Sequence, residues 1–327
     1  MRVGLALPQY DSSIPGERPL RWETLARWAH TADALGFGSL WLSDHLFIDA
    51  AQFGFEPGPT RPVDALPALS GIARVTRRAR LGTLVMCAPM RPATVVAKAL
   101  ATLDVVSGGR LVAGLGAGWF EPEFRAAGVP FGPAPVRLRQ VAEAIETIRR
   151  TWAGDGPPCL PRPAQSPGPP IWVGGRGDAL LRLVARHADG WNLAWSATPG
   201  GYRKRMAVLD RECERAGRDP GTVTRTVGLH TLVGEDERDL ARRFDRLLSL
   251  APPHAPRISL DDWRRAHLVG TVDSIPGQLR AWADAGVDEL IVNPGPLPFH
   301  ALDFDDLSRI ARACSLIAPC QASELQN

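Results

Sequence analysis

The stretch Arg80–Trp119, RLGTLVMCAPMRPATVVAKALATLDVVSGGRLVAGLGAGW, carries the architecture of the chain. Residues 80–86 form a short apolar run of strand character, and residues 93–106 then repeat apolar positions at helical spacing. That helix stops at Gly108-Gly109, a C-terminal glycine signal, and residues 111–115 form a second apolar run that enters a glycine-rich turn. Strand, crossover helix and strand make a parallel unit whose strands are buried on both faces. The alternation continues on either side. Further strands are expected over residues 3–8, 39–43, 171–173, 190–194, 224–233 and 289–292. Helices are expected over 22–35, 64–75, 136–152, 179–187, 202–216, 235–250, 274–285 and 304–317. About eight strand signals separated by helices, without a break in composition, predict an α/β chain folded as a (β/α)8 barrel. The barrel is expected to form one domain over residues 1–320, with a frayed tail at 321–327. Residues 154–170 and 251–269 are too long for simple turns and are expected as insertions in βα loops, serving as lids or binding loops.

Composition narrows the function classes. The chain has 327 residues, with Lys+Arg 38 against Asp+Glu 35 and a formal charge of +3, which argues against a strongly basic nucleic-acid-binding protein. Gly and Pro together make up about a fifth of the chain, short of the range for low-complexity or collagen-like sequences. Cys87, Cys159, Cys213, Cys314 and Cys320 are scattered, odd in number and free of any C-x-x-C pair, so a disulfide framework or zinc ribbon is not expected. The N-terminal MRVGLALPQY ends its apolar run at Pro8-Gln9, too early for a signal peptide. No apolar stretch approaches the roughly 20 residues that span a bilayer. These features predict a reduced, cytoplasmic enzyme with a small-molecule substrate and neither nucleic acid nor membrane as partner.

In such barrels chemistry sits at the C-terminal ends of the strands. The first strand ends at Gln9, the second at Asp44-His45 and the third at Val85-Met86-Cys87. The fourth enters Gly116-Ala117-Gly118-Trp119, the fifth Gly174-Gly175-Arg176, and the sixth carries Trp191-Asn192. Gly174-Gly175-Arg176-Gly177-Asp178 fits a phosphate loop, with glycines turning N–H groups to one point and a helix N-terminus behind them. The same residues also fit a tight turn capped by Asp178 with Arg176 in solvent. His45 could hydrogen-bond a reacting oxygen or a cofactor ring; it could equally satisfy a backbone carbonyl while Asp44 caps a turn. His30, His187, His230, His254, His267 and His300 have no comparable setting and read as structural or surface residues. Gly114–Gly118 lacks the dinucleotide fingerprint because Trp119 stands at the final glycine position; close backbone approach to a flat ring is the functional reading and a plain turn the other. Trp41, Trp119, Trp191 and Trp195 lie near strand ends and together fit an aromatic cleft. No H-x-H, H-E-x-x-H or G-x-S-x-G occurs, so no metal is expected.

These residues together resemble the bacterial luciferase-like flavin or deazaflavin oxidoreductases. The segments that carry the resemblance are ALGFGSLWLSDHL, the stretch quoted above, PPIWVGG, ADGWN and VGTVDSI…AGVDELIV, in that order and spacing. It covers nearly the whole chain and is closest to the branch that uses reduced coenzyme F420. The resemblance implies a (β/α)8 barrel and a homodimer joined through helices around the second and third strands. It places Asp44 and His45 against the deazaflavin, with His45 as proton donor or polariser supported by Asp44. It also implies a non-proline cis peptide at Leu84-Val85 behind the ring. Val173, Gly174, Gly175 and Arg176 would hold the cofactor phosphate, and Gly116 through Gly118 would border the ring. Gln9, Trp119, Trp191 and Trp195 would line the substrate pocket. Sugar-phosphate dehydrogenase members carry a proton-transfer glutamate after the strand-four glycine turn. Here that position is Trp119, with Glu121 two residues later, which implies a more apolar substrate. The activity implied is hydride transfer between F420 and an activated C=C, C=N or C=O bond. An FMN-dependent monooxygenase using reduced flavin and oxygen is the alternative, followed by a non-catalytic flavin-binding barrel and a metal-dependent hydrolase.

Overall fold

The computed structural model describes residues 1–11, 13–49, 59–155, 160–250, 258–295 and 303–316. Eight parallel strands close into a barrel: β1 Arg2–Ala6, β2 Ser39–Leu42, β3 Arg80–Thr83, β4 Leu111–Gly116, β5 Ile171–Gly174, β6 Gly190–Trp195, β7 Thr224–Gly234 and β8 Glu289–Pro294. Closure is made by β1 on β8, with Arg2 opposite Glu289, and by β6 on β7, with Gly190 opposite Thr224. Helices follow the strands as the periodicity predicts; that over Ala65–Val75 starts on Asp64, whose side chain accepts the Leu66 N–H. The helix Ala93–Ser107 ends on Gly108 at φ 69°, in the left-handed region.

Successive strand residues face opposite ways. The outward set, such as Leu40, Leu115, Val173, Trp191 and Leu290, packs under the helices in the main core. The inward set is unusual in holding two tryptophans, Trp41 and Trp172, stacked with ring centroids 5.0 Å apart. Glycine makes their room. A Cβ on Gly82 would lie 2.3 Å from Trp41, and one on Gly190 would lie 2.5 Å from Trp172.

Several elements depart from the expectations. The run 80–86 breaks after Thr83 at a cis Leu84–Val85 bond and resumes as Met86–Cys87, paired to β4. A short helix, Glu121–Ala126, follows β4, where the sequence reading had none. Part of the 251–269 insertion is regular. Its described residues form a helix at Leu260–Arg264, and a ninth parallel strand, Leu268–Thr271, begins there and lies beside β7. The other insertion needs correcting in place: residues 160–170 lead from the helix Ala134–Ala153 into β5. They form an αβ connection, at the end of the barrel away from the strand C-termini. Gln165 pins that segment to Asp104 through its backbone N–H and side-chain amide, both at 2.8 Å. Residues 50–58, 156–159, 251–257 and the tail at 321–327 lie outside the described residues.

Candidate active site

A cavity of about 370 Å³ opens at the C-terminal ends of β2 to β6. Its floor is Val85, set by the cis bond, and glycine again decides the shape. A Cβ on Gly116 would lie 2.5 Å from Val85, one on Gly174 3.0 Å and one on Gly114 3.4 Å. The glycines that suggested close approach to a ligand thus accommodate the valine beneath it. A second non-proline cis bond, Ala194–Trp195, lies on the opposite wall, where the sequence reading had no expectation.

The polar wall comes from the loops after β2 and β4. His45 Nδ1 bonds Glu123 Oε2 at 2.8 Å. Glu123 is 4% exposed, and its other oxygen accepts the Leu46 N–H at 2.6 Å and the Phe47 N–H at 3.4 Å. A carboxylate accepting three N–H groups fixes the tautomer of His45: Nδ1 carries the proton and Nε2 is the nitrogen left over. Asp44 does not support His45, contrary to the expectation. Its carboxylate receives both terminal nitrogens of the Arg91 guanidinium, with Nη2 at 2.9 Å from Oδ1. Burial pushes the Asp44 pKa up and the Arg91 charge opposes it, with a net rise. Cys87, beside them, has its thiol pushed up to about 12, chiefly by burial and then by the Asp44 charge.

The structure brings Asp44, His45, Leu84, Val85, Gly116, Gly118, Trp119, Gly174, Gly175 and Trp195 to this cavity. It places the other candidates elsewhere. Val173 and Trp191 occupy outward strand positions; both are fully buried, and Trp191 stacks on Tyr202 at 5.1 Å with its Nε1–H on the Gly175 carbonyl. The guanidinium of Arg176 donates to the Ala194 and Ser196 carbonyls at 2.7 and 2.9 Å, bracing β6. Gln9, 2% exposed, clamps Ser43 through both its amide and its carbonyl, in a small crevice beside the cavity. Trp41 belongs to the barrel interior. Glu121 points to solvent and pairs with Arg125 at 3.2 Å; the glutamate of the site is Glu123, two residues further along the unexpected helix and on its other side.

Glu123 and Arg91 are the residues of the polar wall and its support that sequence reasoning missed, and Asn192, named there only as a strand-end residue, also lines the cavity. That place of Asn192 could have been found from the period of two, since it shares its strand face with Ala194. His230 stacks on Trp195 with centroids 5.8 Å apart and pairs with Asn293 at 3.2 Å. Burial, with His267 adding to it, pushes its pKa down to about 3, so it stays neutral, in keeping with the structural role read from sequence. Among the described residues no group of three or more His, Cys, Asp or Glu side chains is placed to hold a metal, and no helix is long and apolar enough to cross a membrane.

Comparison with known proteins adds the family. An F420-dependent glucose-6-phosphate dehydrogenase of Microbacterium testaceum is 33% identical over 201 residues, 57% of this chain and 57% of that protein, so the chain spans little over half of that relative's length. An F420-dependent hydroxymycolic acid dehydrogenase of Mycobacterium tuberculosis is 28% identical over 311 residues, 88% of this chain and 81% of the relative. The solved structure of an F420-dependent secondary alcohol dehydrogenase in complex with an F420-acetone adduct superposes with a TM-score of 0.73 at 18% identity, covering 97% of this chain and 99% of that one; it shows the shared fold. The profile of the luciferase-like monooxygenases matches residues 1–289, and the chain belongs to that family.

Proposed function

We propose that the chain is a coenzyme F420-dependent oxidoreductase that moves a hydride between the deazaflavin and a small, neutral, largely apolar organic substrate. The observation that carries this reading is the His45–Glu123 pair, set in the wall of a cavity whose floor glycine has cleared for Val85. Relatives named for F420 dependence support it.

The residues present fit a tricyclic ring with a phosphate-bearing tail. Leu84 and Val85 offer an apolar floor, Gly116 and Gly118 an edge without side chains, and Asp44 an acceptor. Beyond Gly174 and Gly175, the helix Asp178–His187 starts on Gly177, which makes no side-chain cap bond and has open space around its Cα. Its free N–H groups suit the phosphate. When bound, the deazaflavin supplies or accepts the hydride; the protein supplies position and the proton.

His45 is the proton donor or polariser. Glu123 holds its Nδ1–H, so Nε2 is the nitrogen that can give a proton to, or take one from, a reacting oxygen. Trp119 meets the His45 ring edge-on at 5.7 Å and is itself half exposed. Substrate chemistry follows from charge. No lysine or arginine lines the cavity among the described residues, whereas Asp44 and Glu123 do. A phosphate group on the substrate would meet two carboxylates and no free cation, which favours a neutral ketone, alcohol, imine or activated alkene. The reading includes a cytoplasmic homodimer joined through helices around β2 and β3, which sedimentation of the purified protein would check.

The test is titration of purified protein with F420 and, separately, FMN, followed by ring absorbance or fluorescence. Micromolar or tighter F420 binding with weak FMN binding is expected. The reverse preference would transfer the site to a flavin monooxygenase and call for an oxygen-uptake assay, and binding of neither would overturn both.

A further inference from the structure

Asp44 lines the cavity, with its side chain 3% exposed, whereas the guanidinium that holds it, Arg91, is not among the lining residues. Both oxygens are engaged by Arg91, which follows the Ala88–Met90 turn after β3. The guanidinium lies 3.7 Å from Asp64 on its other side, and Asp64 is itself fixed as the N-cap of the helix Ala65–Val75, accepting the Leu66 N–H at 3.1 Å. The rank Asp44–Arg91–Asp64 therefore runs from the cavity to the surface, anchored on a helix end.

We propose that Arg91 is a positioning residue that keeps Asp44 an ionised, acceptor-only carboxylate, so that the cavity selects a ring presenting a hydrogen-bond donor at that point. The inference rests on the deazaflavin reading above and assigns Arg91 a part in it. The geometry supplies the reason: a bidentate fork fixes the plane of the carboxylate as well as its charge. The Cys87 backbone N–H also lowers the Asp44 pKa, and His45, its neighbour in the chain, is turned to Glu123; the remaining groups act differently. Asp64, next to Arg91, opposes its ionisation, as its burial does. Tyr10 from the end of β1 and Cys87 from the β3 side are neutral, each pushed up by burial. Glu123, from the β4 loop, is committed to His45, Leu46 and Phe47. Arg91 is thus the cation on which the charge of Asp44 depends.

The sign follows. With Arg91 present the Asp44 pKa is held down against burial; without it that pKa rises further, by about one to three units for loss of an adjacent opposite charge. Ligand binding that needs the carboxylate is then lost at higher pH than in the unaltered protein. The experiment measures F420 affinity by fluorescence from pH 5 to 9 for the unaltered chain, Arg91→Met, Arg91→Lys and Asp44→Asn. We expect the acid limb to move up by at least one pH unit in Arg91→Met, and affinity on that limb to weaken about tenfold for each unit of the move. Arg91→Lys keeps the charge without the fork and is expected between the two. Asp44→Asn is expected to bind weakly with no limb in this range. An acid limb of unchanged position in Arg91→Met, or in Arg91→Lys should the methionine variant fail to fold, would overturn the inference while leaving the deazaflavin reading intact. Absence of F420 binding to the unaltered chain at every pH would overturn that reading and this inference with it.

Discussion

Two of the buried glutamates, Glu289 and Glu123, stand at opposite ends of the barrel and do different work. Glu289, fully buried at the start of β8, takes the Ser39 hydroxyl on one oxygen and Arg2 Nε on the other at 3.0 Å, while Trp41 Nε1 donates to the same Ser39 hydroxyl at 2.6 Å. The network closes the N-terminal end of the barrel beneath the stacked tryptophans. Glu123, at the other end, takes His45 and two loop amides and faces 370 Å³ of open space. Both carboxylates are satisfied, so satisfaction does not distinguish a structural acid from a functional one. The difference lies in what the hydrogen-bonded partner can still do: Ser39 and Arg2 are spent on the fold, whereas His45 keeps a nitrogen free for chemistry. Strand polarity puts the first at the floor and the second at the mouth, the division expected of these barrels.

That contrast can be tested by breaking each end in turn. The largest effect is expected from His45→Ala, which should lower turnover by about 10²- to 10⁴-fold, the typical contribution of a general acid, while cofactor affinity changes little. Steady-state rates beside a binding titration would separate the two, and unaltered turnover would end the assigned role. Next is Glu289→Ala, which strips partners from buried Ser39 and Trp41 and should cost about 1–3 kcal/mol of stability in denaturant unfolding. F420 affinity in that variant should stay as it was; a large loss would show the floor and the mouth to be coupled. Glu123→Gln keeps the shape but makes the His45 bond neutral, which weakens it by about 1 kcal/mol and should lower turnover about fivefold to tenfold. Glu121→Gln, in solvent two residues away, should leave turnover unchanged. The smallest signal concerns Cys87. Its pKa stands near 12, above the ordinary thiol value, so the reactive thiolate forms only as pH approaches that range. Peptide mapping after iodoacetamide at pH 8 should find Cys87 unmodified in the folded protein.

The barrel was legible because its signals are local. Apolar strand runs, helical periodicity and glycine stops each lie within a dozen residues, and the eight expected strands form the eight of the barrel. The strand-end rule found Asp44, His45, Val85, Gly116 and Gly174 for the same reason. It overreached at Val173 and Trp191, which the period of two turns towards the helices, next to Gly174 and Asn192 facing in. Arg176 is absent from the cavity lining for a different cause: its Nη2 is spent on the Ala194 and Ser196 carbonyls.

Strand order, barrel closure and the end at which chemistry sits follow from local pattern and chain direction, and these the residues state in their order. Partnership does not follow from order. His45 meets Glu123 across 78 positions of sequence, and Asp44 meets Arg91 across 47. Each pair exists only because β2, β3 and β4 are neighbours whose loops emerge at the same end. Spacing along a chain constrains residues on one helix face or one strand; between loops of different strands it constrains nothing. The adjacent Asp44 and His45, which looked like partners in the sequence, were parted by folding, and each took its counterpart from a different loop.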